Sequence, residues 1–206
     1  MEAGDSIAGE TRRDRERARS EERILAAAME LFARQGYQQT SMKDLAEKAD
    51  MSVGKLYSCF PGKENIYRHI LEKYLAEMHR RGDEACEPSD PPLEQLRRRL
   101  IAVIEHFKGH IDFLMIYHNE SPLMFEGILR REIERNREIA ADLFARAMER
   151  GDIGREDPFV LSAIFIGSIH ELLHAFAELG DIAAFDGVPG IIDRVLIAPL
   201  MARATR

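Results

Sequence analysis

The densest group of ligating side chains in the sequence is His170-Glu171-Leu172-Leu173-His174. This is an H-E-x-x-H pattern. On a helix its two imidazoles fall one turn apart, where they can grip one Zn²⁺ with Glu171 as general base. A hydrolytic zinc also needs a third protein ligand and an open position for water. No following motif supplies that ligand, and the nearest other histidine in sequence is His118. The segment around the motif is strongly apolar, so packing has first claim on it. His106 and His110 form a second i, i+4 pair, and with His118 they leave a metal- or haem-responsive sensor as an alternative. Histidines at a polar–apolar boundary give the same spacing. Cys59 and Cys86 share no motif and are too few for a disulfide framework, which makes the cytoplasm the default compartment. A thiol at position 59 suits a small apolar filler better than a redox sensor. These residues point to no catalysis, no bound metal and no resident cofactor, with a zinc hydrolase through residues 170–174 as the weakest alternative.

The elements that must carry these side chains are helical throughout. Ser20 precedes two acids and the one-sided set Ile24, Ala28, Leu31 and Phe32, which predicts a capped helix ending at Gly36. Ser41 with Asp44 is a capping-box candidate for a helix with Leu45, Ala46 and Ala49 inward. Asp50 and Met51 break it. Ser52 caps a very short third helix with Val53, Leu56 and Phe60 at helical spacing, and Pro61-Gly62 turns the chain into a fourth. Three prolines within residues 88–92 mark a linker. Beyond it, helices are expected through Leu96, Leu100 and Phe107, across residues 110–118, and from about Pro122 to Arg150. Asp157-Pro158 then opens a helix that is apolar on nearly all sides, and a last helix starts at Pro189, with a kink from Pro199 in its last turn. The longest nearly uncharged apolar run, residues 158–170, is too short to cross a bilayer.

The 206 residues carry a formal charge of −7, but the balance is uneven. Residues 1–81 hold 15 Lys+Arg and 14 Asp+Glu, whereas the remainder holds 14 and 22. The basic excess is sharpest at residues 12–19, RRDRERAR, and such asymmetry hints at a nucleic-acid-binding end. Two short helices joined by a tight turn fit a helix-turn-helix, whose second helix leaves small and polar side chains free for a major groove.

Residues 41–67, SMKDLAEKADMSVGKLYSCFPGKENIY, together with the preceding AAAMELFARQGYQQTS, resemble the DNA-binding signature of the TetR family of transcriptional regulators. The resemblance covers residues 20–75. It implies an all-α protein with an N-terminal three-helix helix-turn-helix domain and a helical C-terminal ligand-binding and dimerisation domain. The expected boundaries are a flexible basic arm at 1–19, the DNA-binding domain at 20–75 and the effector-binding and dimerisation domain at 76–206. It also implies a homodimer that binds double-stranded DNA at a palindromic operator, represses, and is released by a small effector, with no membrane partner. Thr40, Ser41, Tyr57 and Lys63 match the family's phosphate contacts, which fix register without reading sequence. Val53, Lys55 and Ser58 are placed to face base edges, beside the Ser52 cap, and Gly54 allows close approach to the sugar-phosphate chain. Asp50 stands where the family usually has glycine; aspartate tolerates the same left-handed backbone. Phe107, Phe113, Tyr117, His118, Met124, Phe125, Phe144 and Phe165 are candidate walls for an apolar or aromatic effector. Deleting residues 1–19 is expected to lower DNA affinity and flatten log affinity against log salt, because fewer counterions are released. An unchanged slope would make the arginines a solvated tail.

Overall fold

The computed structural model describes residues 12–118, 126–179 and 183–204. Its helices are α1 (Arg12–Gln39), α2 (Met42–Lys48), α3 (Val53–Cys59), α4 (Lys63–Glu84), α5 (Pro92–Gly109), α6 (Ile111–His118), α7 (Glu126–Glu149), α8 (Pro158–Leu179), α9 (Val188–Ile192) and α10 (Ala198–Ala204). There is no strand among the described residues. The chain divides into two compact units, Met1–Ile70 and Leu71–Arg206, with the boundary inside α4.

In the first unit α1 starts eight residues before the expected cap. Ser20 lies inside the helix, with its hydroxyl donating to the Glu16 carbonyl at 2.8 Å. The pairs Arg12–Glu16 and Arg17–Glu21, each one turn apart, support the added turns. Residues 12–19 are therefore helical, and residues 1–11 of the expected arm lie outside the described residues. Gly36 interrupts α1 with φ 81 and ψ 162, a backbone essentially closed to other residues. Ile24, Ala28, Leu31 and Phe32 of α1 are buried, as are Leu45 and Ala46 of α2, Leu56 and Cys59 of α3, and Ile66 and Ile70 of α4. The packed Cys59 side chain fits the filler reading.

In the second unit α7 and α8 pack along each other, and α5 lies on α7. The buried set includes Leu96, Leu100, Ile104 and Phe107 from α5, Phe113 and Ile116 from α6, Leu143 and Phe144 from α7, and Phe165 and Leu173 from α8. Asp157 caps α8, its carboxylate accepting from the Phe159 and Val160 amides at 2.8 and 3.2 Å. Within one chain α8 is not buried on all sides: Phe159, Val160, Ile164 and Leu179 stay exposed, as do Ile191, Val195 and Met201 beyond it. With 22 residues and a mean hydropathy of 1.6 over its most apolar 18, α8 is long and apolar enough to cross a membrane by length and composition alone, which corrects the shorter run expected from sequence. His170, Glu171, His174 and Glu178 lie within it. The last helix departs from expectation as well. Its irregularity is a π turn at Asp193–Ile197, closed by the Ala198 amide on the Asp193 carbonyl, and it precedes Pro199. The proline ring lacks an N–H and crowds the carbonyl four residues back, so the disturbance falls upstream of it.

His106 on α5 is fully buried, and neither ring nitrogen has a hydrogen-bond partner. Burial first, then the neighbouring His110 and Arg81, push its pKa down from 6.5 to about 4. The unfolded chain takes up this proton near pH 6.5 and the native chain only near pH 4, so the contribution to stability is lost as pH falls through that window. Urea titrations at pH 7.5 and 5 are expected to show a smaller acid loss for His106→Leu than for the unaltered chain. Equal losses would remove His106 as the responsible group.

Candidate functional site

The turn between α2 and α3 is built by complementary caps. Ser41 Oγ accepts from the Asp44 amide at 3.1 Å, and the Asp44 carboxylate accepts from the Ser41 amide at 2.9 Å and its hydroxyl at 2.7 Å. These bonds hold the Asp44 carboxyl below its usual range. Ser52 Oγ accepts from the Lys55 amide at 3.2 Å to start α3. Asp50 takes the left-handed backbone, with φ 50. Arg23 of α1 holds that turn from outside, donating to the Ala49 carbonyl at 2.6 Å, the Asp50 carbonyl at 2.9 Å and the Asp50 carboxylate at 3.1 Å. Nothing in the local sequence pattern had marked Arg23, because it lies more than twenty residues before the turn it closes.

With Leu56 and Cys59 turned into the core, α3 leaves Ser52, Val53, Gly54, Lys55, Tyr57 and Ser58 exposed on one continuous surface. Val53 is 40% and Tyr57 50% exposed, an unusual state for side chains of that size. A Cβ added at Gly54 would meet nothing within 4 Å, so its small size leaves room on the open face. Ser58 Oγ donates to the Lys55 carbonyl at 2.6 Å. Ser41 is exposed beside this surface.

Two expected phosphate contacts also have structural tasks. Thr40 is 1% exposed, and its hydroxyl donates to the Gly36 carbonyl at 2.8 Å, closing the interrupted end of α1. Lys63 donates to the carbonyls of Tyr37 at 2.6 Å and Thr40 at 2.7 Å and lies 4.2 Å from the centre of the Tyr37 ring. Burial lowers its pKa from the usual lysine value. Two of its three donors are thus spent on the carbonyls freed by the Gly36 break.

In the second unit α4, α5, α7 and α8 enclose a cavity of about 50 Å³. Met78, His79 and Gly82 line it from α4, Leu96, Arg99, Leu100 and Val103 from α5, Asn136, Ile139 and Ala140 from α7, and Phe165, Ile166 and Ile169 from α8. Of the walls expected from sequence, Phe165 alone among the described residues reaches it. Phe107 and Phe113 are stacked core rings 5.7 Å apart. Phe144 packs edge-on against Phe165 and lines a separate groove with Leu161, Ile164, Val195 and Leu196. Burial, with Glu132 nearby, raises the pKa of Tyr117. Met124 and Phe125 lie outside the described residues. His79, Arg99 and Asn136 were missed because they come from three helices and form no short motif.

Of the histidines of the H-E-x-x-H segment, His174 meets His118 and His170 packs against Tyr117 and His174. His118 Nδ1 and His174 Nδ1 stand 2.7 Å apart, one donating to the other, and the His170 and His174 rings are 4.5 Å apart. Burial first and then neighbouring histidine lower the pKa of both His170 and His174. Among the described residues no group of three His, Cys, Asp or Glu side chains is placed to hold a metal ion.

A short, capped, outward-facing helix following a tight turn defines a helix-turn-helix module of the DNA-binding class. Residues 24–70 match the model for bacterial regulatory proteins of the tetR family. The HTH-type transcriptional regulator YhgD of Bacillus subtilis is 35% identical over 100 residues, 48% of this chain and 52% of its own. The chain thus spans about half the length of this curated relative. The structure of the ketosteroid transcriptional regulator KstR2 of Mycobacterium tuberculosis superposes with a TM-score of 0.73 at 19% identity, covering 87% of this chain and 94% of that one. AibR, solved with isovaleryl coenzyme A and operator DNA, gives a TM-score of 0.68 at 21% identity, covering 84% and 97%. Residues 24–70 thus carry the DNA-binding region of the tetR family.

Replacing Lys63 by methionine removes a charged donor from two carbonyls and is expected to cost about 1–3 kcal/mol of stability in urea unfolding. Lys43→Met, at an exposed position, should stay within about 0.5 kcal/mol. Equal small effects would return Lys63 to a purely DNA-directed role.

Proposed function

We propose that this protein is a ligand-responsive, DNA-binding transcriptional repressor that acts as a homodimer in the cytoplasm. The observation that carries the proposal is the free outer face of α3, with Val53, Gly54, Lys55, Tyr57 and Ser58 exposed while Leu56 and Cys59 anchor it. Lys55 can donate to guanine O6 and N7, and Val53 can touch a thymine methyl. Ser41 and Tyr57 serve the phosphates, together with the third donor of Lys63. The exposed apolar side chains of α8 and of residues 191–201 support a second copy as the partner that covers them. A two-fold pair of recognition helices calls for a palindromic operator. The effector enters the largely apolar cavity of the second unit and favours a state whose half-site spacing no longer fits successive major grooves. KstR2, named for ketosteroids, and AibR, bound to isovaleryl coenzyme A, support an apolar, carbonyl-bearing effector class.

The test is selection of bound sequences from a random duplex pool, followed by fluorescence anisotropy on the selected site. An inverted repeat is expected, with Lys55→Ala weakening binding and relaxing preference at one base position in each half-site by about 1–3 kcal/mol. Unchanged affinity and preference in Lys55→Ala would remove α3 as the reader.

A further inference from the structure

The last residue of α6 is His118, and α8 carries His174 in its last two turns. Their Nδ1 atoms stand 2.7 Å apart, with ring centres 4.9 Å apart and planes at 64°. A contact this short between two nitrogens is a hydrogen bond with a single hydrogen in it: one Nδ1 brings an N–H and the other a lone pair. The bond ties the end of one helix to another helix 56 residues later in the chain.

In the neutral pair the donor ring has its lone pair on Nε2, and the acceptor ring has its hydrogen there. A first added proton takes the donor's Nε2. The donor becomes an imidazolium, and its bond to the neutral acceptor is charge-assisted and stronger. A second added proton has only the acceptor's Nδ1 to take. It uses the lone pair that made the bond and sets two N–H groups and two positive charges against each other. The bond thus survives one added proton and is lost at the second.

The surroundings oppose that second charge. His170 places its ring 4.5 Å from that of His174, and Tyr117 lies edge-on to His170 at 5.8 Å. Burial first, then neighbouring histidine, lowers the pKa of both His174 and His170. Glu171 acts the other way on both, and Glu178 on His174. Both carboxylates belong to exposed residues of α8, where salt screens them. From α7, Glu132 acts on Tyr117 and is itself held by His79 and Asn136. From α5, the uncharged ring of Phe107 packs against Tyr117. The unfolded chain takes up both protons near pH 6.5, so the bond's contribution to stability is lost as pH falls below that value.

We propose that His118 and His174 form an acid-released latch in the second unit: α6 is tied to α8 while the pair holds no more than one added proton, and a second proton frees the end of α6. The latch needs neither effector nor DNA, so it stands apart from the repressor reading.

NMR of the full, tag-free chain labelled with ¹⁵N-histidine, followed from pH 7.5 down to pH 4.5, tests the latch. At pH 7.5 one ring proton is expected to couple to two Nδ1 nitrogens, a signature that only an imidazole–imidazole bond produces. The coupling should outlast the first protonation of the pair, read at Nε2, and vanish at the second. Over that last step backbone hydrogen exchange across Ile111–His118, corrected for its intrinsic pH dependence, should rise severalfold, while exchange in α1 stays unchanged. In His118→Phe and His174→Phe the same segment should exchange fast already at pH 7.5. Absence of the shared coupling at pH 7.5, its loss at the first proton, or its persistence until the whole chain unfolds overturns the latch. So does a lost coupling with unchanged exchange across α6. The spectra and exchange of the unaltered chain decide the matter even where a variant fails to fold.

Discussion

A helix of seven residues has almost no stability of its own in water, and α3 is such a helix. Everything else in the first unit follows from the need to hold it while leaving one side of it free. Leu56 and Cys59 anchor its inner side. Ser52 satisfies its first amides, and the Ser41–Asp44 box does the same for α2. Two cations then bind the breaks at either end of the pair. Arg23 holds the carbonyls of the left-handed turn at Ala49 and Asp50, and Lys63 holds those of Tyr37 and Thr40 after Gly36. Both are residues whose charge alone suggests a role on DNA. Their geometry instead shows backbone carbonyls at the two breaks being bonded from another helix. The outer face of α3 is consequently relieved of structural duty.

The second unit presents the opposite balance. It has more apolar surface than one chain buries and more polar groups inside than the chain satisfies. The first excess lies outward on α8 and around Ile191 and Val195, where it suits a partner surface. The second lies inward, at His79, Arg99 and His106. His106 is packed against Tyr74, Phe107, His110 and Phe113, and its burial pushes its pKa down. His79 and Arg99 border a cavity, with His79 held against Glu132 and Arg99 against Asp83.

The H-E-x-x-H segment illustrates how spacing and surroundings compete. Helical spacing does bring His170 and His174 together, as the pattern implies. What it cannot supply is the third group, and tertiary packing brings His118 to His174 in direct nitrogen-to-nitrogen contact. The arrangement satisfies one ring nitrogen with another, a use of histidine as an ordinary polar packing residue.

The sequence by itself determined the helical class, the capped turn between residues 41 and 52, the linker at residues 86–92 and the residues of the outward face of α3. These depend on caps, breakers and a period of 3.6, all local in the chain. It also set the apolar character of α8 through composition alone. The tertiary structure decided what local patterns cannot encode. It extended α1 through residues 12–19 by pairing charges one turn apart, buried Thr40, turned two donors of Lys63 onto backbone carbonyls, and chose Arg23 to close a turn far along the chain. It also stacked Phe107 and Phe113 in the core and formed a cavity elsewhere whose wall joins His79, Arg99 and Asn136. Those three lie on α4, α5 and α7, and only the packing of helices distant in sequence brings them to one wall.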